Sequence, residues 1–153
     1  MNKGCVLVLD NLRSVENTAS IFRTAECLGV TKIFLVGTTP APVDRFGRKR
    51  KDFAKVSLGA ESLLEWEHKD DIEGTIKELR SEQFQIVALE QDERAKSFNT
   101  QGKIALIVGN EVDGVSKKAI DLADEIFEIP MIGQKESLNV SVATGIALYK
   151  LLK

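Results

Sequence analysis

Two cysteines, one histidine, one tryptophan, one tyrosine and three prolines are all that the 153 residues contain of these types. Each shortage excludes something. Cys5 lies in an apolar run and Cys27 in a helical stretch, and neither has a cysteine or histidine at ligand spacing, so a metal site has no support. Both are expected as reduced, structural thiols of a cytoplasmic protein. No apolar run approaches the roughly 18 residues that a membrane span needs. The opening Gly4-Cys5-Val6-Leu7-Val8-Leu9 is too short and too early for a secretory signal. No G-x-G-x-x-G follows this first run, which leaves a Rossmann dinucleotide site unsupported. Repeats, linkers and low-complexity tracts are missing as well, so 1–153 reads as one domain long enough to bury its own core.

An excess of positive charge is also lacking. Lysine and arginine number 21 against 23 acidic residues, a net charge of −2, which does not advertise a nucleic-acid binder. The distribution does. Arg45, Arg48, Lys49, Arg50 and Lys51 form a dense basic run, followed by an acidic stretch over 61–73. Phosphate affinity depends on such local clusters, because charges beyond about one Debye length (~8 Å in physiological salt) are screened.

What is present is an alternation of strand-like and helix-like runs. Short apolar runs over 4–9, 32–36, 85–89 and 104–108 read as buried parallel strands, with shorter ones over 63–67 and 125–129. Helices are expected over 15–28, 53–64, 71–82 and 116–123, the first closed by Gly29 and the last capped by Ser116. A polar connection spans 90–103. Alternation of this kind means an α/β domain with a parallel sheet. A final helix over 140–152 is apolar in nearly every direction and is expected to be buried on most sides.

Ahead of that helix, Pro130 and Gly133 open a loop that leads to Ser137-Leu138-Asn139, an unusual place to leave hydroxyl and amide groups uncommitted. Read alone, this cluster could be a plain helix cap, Gly109-Asn110-Glu111-Val112-Asp113-Gly114 an ordinary strand-to-helix turn, and Arg23 a surface arginine. Taken together and in order, three stretches resemble the motifs of the SpoU/TrmH branch of the SPOUT superfamily. They are Asn11 to Asn17 running on to Arg23 and Gly29, Ile107 to Ser116, and Ile129 to Ala143. The likeness spans 10–149.

Members of this family are RNA methyltransferases that use S-adenosylmethionine, so the resemblance implies methyl transfer to a ribose 2′-hydroxyl of tRNA or rRNA. It also implies a deep C-terminal trefoil knot, where general topology rules would give an unknotted doubly wound sheet. The segment after about Leu89 would thread the knot, with the loops after Val108 and Ile129 side by side. Carried over residue by residue, the resemblance assigns Arg23, Asn17, Glu111, Ser137 and Asn139 to catalysis. Leu89, Gly109, Ile129, Met131 and Leu138 fall to the cofactor, with Gly109 letting backbone approach it. Arg13 and the basic run would hold RNA. A guanidinium has no accessible neutral form, so Arg23 is expected to clamp phosphate and stabilise developing charge rather than act as a base. The chain begins and ends close to the bounds of a catalytic domain, so RNA capture is expected to rely on this domain and its partner in a homodimer. Two other readings are a receiver-like signalling module built on Asp10, which ends the first strand, and a knotted RNA-binding protein without turnover.

Overall fold

Six apolar or half-apolar runs become strands because each alternates its side chains between two covered faces. The computed structural model describes residues 4–95 and 102–153. In it β1 (Cys5–Asp10), β2 (Lys32–Val36), β3 (Glu65–Lys69), β4 (Gln85–Leu89), β5 (Ile104–Gly109) and β6 (Glu125–Phe127) form one sheet in the order β3-β2-β1-β5-β4-β6. Every pairing is parallel. Along β1, Cys5, Leu7 and Leu9 enter one apolar core while Val6 and Val8 enter the other. The helices α1 (Val15–Cys27), α2 (Lys51–Ser57) and α5 (Val140–Leu152) cover the first face. The opposite face is covered by α3 (Ile72–Ser81) and α4 (Lys117–Leu122). This is the parallel α/β architecture expected from the sequence.

Several boundaries differ, each for a local reason. The helix expected over 53–64 divides into α2 and a 3₁₀ turn at Ala60–Ser62, because Leu58 and Gly59 both take left-handed backbone angles, φ +53° and +87°, which a right-handed helix cannot contain. The strand expected over 63–67 begins at Glu65 instead. It alternates charged side chains, and Glu67 and Lys69 are held by ion pairs with Lys32 and Glu78, so its pattern is not apolar. The last strand stops at Phe127, short of Ile129. Of the polar connection over 90–103, residues 96–101 lie outside the described residues.

The expected caps at Ser116 and Gly29 hold. Ser116 opens α4 by accepting the amide of Ala119, and Ser14, which the sequence reading did not single out, opens α1 by accepting that of Asn17. Gly29 follows α1 in a left-handed conformation. Asn139 rather than Ser137 caps α5, accepting the amide of Ser141 at 2.9 Å. Burial of α5 is more one-sided than expected. Thr144, Ala147, Leu148 and Leu151 are buried, whereas Val142, Ile146 and Tyr149 are 51%, 39% and 57% exposed. Among the described residues, this helix packs mainly against α1 and β5.

Candidate active site

The site forms where the C-terminal ends of β4 and β5 meet the segment after β6, at the carboxyl edge of a parallel sheet. Ligands of such sheets bind there because connections leave in opposite directions and open a crevice. Here the chain leaves β1 toward β2 and leaves β5 toward β6, on the far side. A cleft of about 510 Å³ lies at this edge. Leu89, Gly109, Ile129, Met131 and Leu138, the five residues assigned to the cofactor, all line it, as do Asn17, Glu111, Ser137 and Asn139.

The loop after β5 is rigidly built. Asn110 and Gly114 exchange backbone hydrogen bonds of 3.0 and 2.9 Å. The Asn110 carboxamide oxygen accepts the amides of Val112 and Asp113 while its nitrogen donates to the Asn11 carbonyl at 2.8 Å. A Cβ on Gly109 would stand 2.1 Å from Gly114 C and Val115 N. Gly109 therefore also permits the close approach of its own returning loop, a contact the sequence reading did not include. Gly114, at φ +73°, would place a Cβ 2.2 Å from the Glu90 carboxylate, which accepts the amide of Val115 at 2.9 Å. Glu90 also lines the cleft. Sequence reasoning assigned it no place in the site, because only the pairing of β4 with β5 brings residue 90 to residue 115.

Glu111 reaches back from this loop to the start of α1. Its carboxylate accepts the amide hydrogens of Arg13 at 3.2 Å and Ser14 at 3.1 Å, and the Asn17 carboxamide at 3.4 Å. A negative charge is favourable at a helix N-terminus, where backbone N–H groups are otherwise unpaired. Partial burial raises the Glu111 pKa. Hydrogen bonds from its own amide, Ser14, Arg13 and Asn17 outweigh that effect and hold it below the ordinary glutamate value of 4.5. An anion held by so many donors is a poor base and a good anchor.

Asn17 passes the order onward. Its oxygen accepts the Asn139 carboxamide at 3.1 Å, and the Asn139 oxygen accepts both the amide and the hydroxyl of Ser141, at 2.9 and 2.6 Å. Each carboxamide can satisfy these partners in one orientation only. The relay Glu111–Asn17–Asn139–Ser141 thus fixes three segments that lie far apart in the chain. Beside it the Ser137 hydroxyl is exposed and makes no hydrogen bond with the described residues.

Glu90, Glu111 and Asp113 line the cleft and, among the described residues, no lysine or arginine does. Together with the apolar Leu89, Val108, Ile129 and Leu138, this donor set fits a ligand that joins a flat apolar ring to a positive charge, and disfavours a phosphate. The predicted cations stand outside it. Arg23 is exposed on α1, beyond the cleft lining, and has no hydrogen bond or ion pair with the described residues. It lies six positions after Asn17, which places the two about 9 Å apart along the helix axis at 1.5 Å per residue. Arg13 is exposed, with its backbone rather than its side chain committed to Glu111.

The basic run is less free than its sequence suggests. Arg48 is paired with Asp44 and Arg50 with Asp52, leaving Arg45, Lys49 and Lys51 without ion pairs among the described residues. Asp10, the residue a receiver-like module would need accessible, is 1% exposed. Its carboxylate accepts the Ser116 amide at 2.9 Å and the Asn11 carboxamide at 3.2 Å. Its role is structural.

Comparison with known proteins identifies the family. The SpoU rRNA Methylase family model matches residues 4–149. A tRNA (guanosine(18)-2′-O)-methyltransferase of Aquifex aeolicus is 32% identical over 151 residues, covering 97% of this chain and 68% of the relative. The 23S rRNA (guanosine-2′-O-)-methyltransferase RlmB of Escherichia coli is 31% identical over 155 residues, covering 100% of this chain and 61% of the relative. The chain thus spans about two thirds or less of the length of these relatives. Among solved structures, an AdoMet-bound rRNA methyltransferase from Sinorhizobium meliloti superposes with a TM-score of 0.83 at 26% identity, over 99% of this chain and 56% of that one. Matched over nearly its whole length and built on the same frame, the chain belongs to the SpoU rRNA Methylase family.

Proposed function

We propose that this protein is an S-adenosylmethionine-dependent RNA methyltransferase that modifies a ribose 2′-hydroxyl of tRNA or rRNA. The observation that carries the reading is the Glu111–Asn17–Asn139–Ser141 relay on the wall of an acidic, partly apolar cleft. Family membership, the curated relatives and the AdoMet-bound neighbour support it.

Leu89, Gly109, Ile129, Met131 and Leu138 would hold the donor, whose sulfonium supplies an activated methyl group. Carboxylates and apolar walls suit that cation and a nucleoside ring. The residues of the chain then have to position the acceptor, since in-line transfer gains much of its rate from orientation. Ser137, with an uncommitted hydroxyl, and Asn139, with a fixed carboxamide, border the acceptor, and Glu111 keeps Asn17 and Asn139 in register. With no cation among the described residues of its lining, the cleft leaves RNA phosphates outside it, where Arg13, Arg23, Arg45, Lys49 and Lys51 are available. Arg23 is assigned to the reacting hydroxyl from that outer side, clamping phosphate and stabilising alkoxide charge.

The working unit proposed is a cytoplasmic homodimer. Val142, Ile146 and Tyr149 form an exposed apolar strip on α5, and strips of this kind commonly mark interfaces. No helix among the described residues is long and apolar enough to cross a membrane. The backbone after Leu89 is proposed to thread the family's trefoil knot. Gln91, which donates to the Glu136 carbonyl at 2.8 Å, and the shared cleft wall bring the three segments involved together. Calorimetry with S-adenosylmethionine and its demethylated product, joined to transfer of labelled methyl into RNA and nucleoside analysis, tests the reading. Saturable binding and 2′-O-methylnucleosides are expected. No heat at millimolar ligand and no incorporation would reject it.

A further inference from the structure

Phe46 is 66% exposed, whereas the other described phenylalanines are buried or half-buried. It sits at the tip of a tightly locked turn between β2 and α2. Val43 and Lys49 pair as an antiparallel bridge. The Asp44 amide donates to the Arg48 carbonyl at 2.8 Å, and the Gly47 amide to that of Asp44 at 2.9 Å. The Asp44 carboxylate accepts the amides of Phe46 and Arg48 at 2.8 and 3.0 Å. An exposed apolar side chain is ordinary by itself; here an ordered turn holds an aromatic ring out to water between two arginines.

The two guanidinium groups beside the ring are held differently. Arg48 lies 5.0 Å from the ring centroid and is tied to Asp44 through its Nε at 3.0 Å. Arg45 lies 4.8 Å from the centroid and makes no hydrogen bond or ion pair with the described residues. One cation is pinned, and the other is free to leave the ring. An apolar protein surface laid here would face Arg45, Lys49 and Lys51 without neutralising them. A nucleotide offers both a flat π-face for the ring and a phosphate for the released arginine.

The turn also springs from the edge that carries the cleft. Just after β2, Thr38 donates to the Asn11 side chain and Leu12 carbonyl, and Thr39 accepts the Leu12 amide. These bonds stitch it to the turn whose next amides, from Arg13 and Ser14, bind Glu111.

We propose that Phe46 is a stacking platform for an unpaired nucleobase of the RNA substrate, at a distance from the reacting ribose, with Arg45 turning from the ring to that nucleotide's phosphate. The inference rests on the RNA-methyltransferase reading. The probes that test it are a fluorescent twelve-nucleotide oligoadenylate and an abasic ribose-phosphate strand of equal length, titrated across a salt series. F46A and F46L should lose roughly 5- to 150-fold in affinity for oligoadenylate, the scale of one base–aromatic stack. F46Y should keep its affinity, the salt slope should stay constant, and the abasic strand should bind all forms alike. Melting temperature should be unchanged, since the ring is exposed. Equal loss on the abasic strand with a shallower salt slope would reduce Phe46 to arranging arginines and overturn the proposal. If the parent protein methylates RNA yet binds oligoadenylate no better than F46A, the stacking assignment alone falls. If it neither binds donor nor transfers methyl, the underlying reading falls and takes this one with it.

Discussion

Replacing Glu111 with glutamine removes one charge and almost nothing of the shape. The carboxylate now serves three donors, the amides of Arg13 and Ser14 and the Asn17 carboxamide. A carboxamide has one acceptor oxygen and an NH₂ group, so in Glu111→Gln at least one donor must face another donor. The site is exposed, which places the stability cost at that of an ordinary helix cap, about 1 kcal/mol. That corresponds to a melting temperature lower by about 2–4 °C for a domain of this size. Activity should fall further. Once released from Glu111, Asn17 no longer has to direct its oxygen at Asn139, and a misplacement of about 1 Å in a positioning group costs on the order of a hundredfold in rate. Single-turnover methyl transfer to saturating RNA should therefore fall by about that factor while the protein stays folded. The pH dependence has a definite sign. A folded-state pKa below the ordinary 4.5 means stability that is present above 4.5 and lost as pH falls through the depressed value. The parent protein should show this acid-side loss in its melting profile, and in Glu111→Gln it should be smaller by the Glu111 share, with the part due to Asp44, Asp52, Glu67, Glu73 and Asp92 retained. A parent-like rate together with an unchanged acid limb would refute the anchoring role.

Gly109→Val introduces a Cβ that would stand 2.1 Å from the backbone of Gly114 and Val115, so the loop must open; calorimetry should show S-adenosylmethionine binding abolished or strongly weakened, and parent-like affinity would show that the loop is not part of the donor site. Arg23→Ala should keep donor affinity and lose at least about a hundredfold in single-turnover transfer, the scale of one electrostatic stabiliser; an unchanged rate at saturating RNA removes Arg23 from the chemistry. Ile146→Glu puts a charge into the exposed strip of α5 and should shift sedimentation from dimer to monomer at micromolar concentration, whereas a parent protein that is itself monomeric there rejects the homodimer.

The sequence by itself determined the elements of this protein and most of the residues that gather at its candidate site. Strands buried on both faces are written as continuous apolar runs, and a cap such as Ser116 acts on an amide three residues away, so both are legible locally. The motif residues could likewise be placed one by one, and nine of the ten assigned to catalysis and cofactor do line one cleft. Only the tertiary structure decided what they touch. Asn17 meets Asn139, and Glu111 meets Ser14, because the order β3-β2-β1-β5-β4-β6 sets β5 against β1 and α5 packs against α1. Periodicity carries no record of which strand lies beside which. The same limit hid Glu90 behind the β4–β5 pairing and gave Gly109 a neighbour in its own loop. It also concealed that Arg48 and Arg50 are held by Asp44 and Asp52, while Arg23 stands outside the cleft. A charge in a sequence has a sign but no partner until the chain has folded around it.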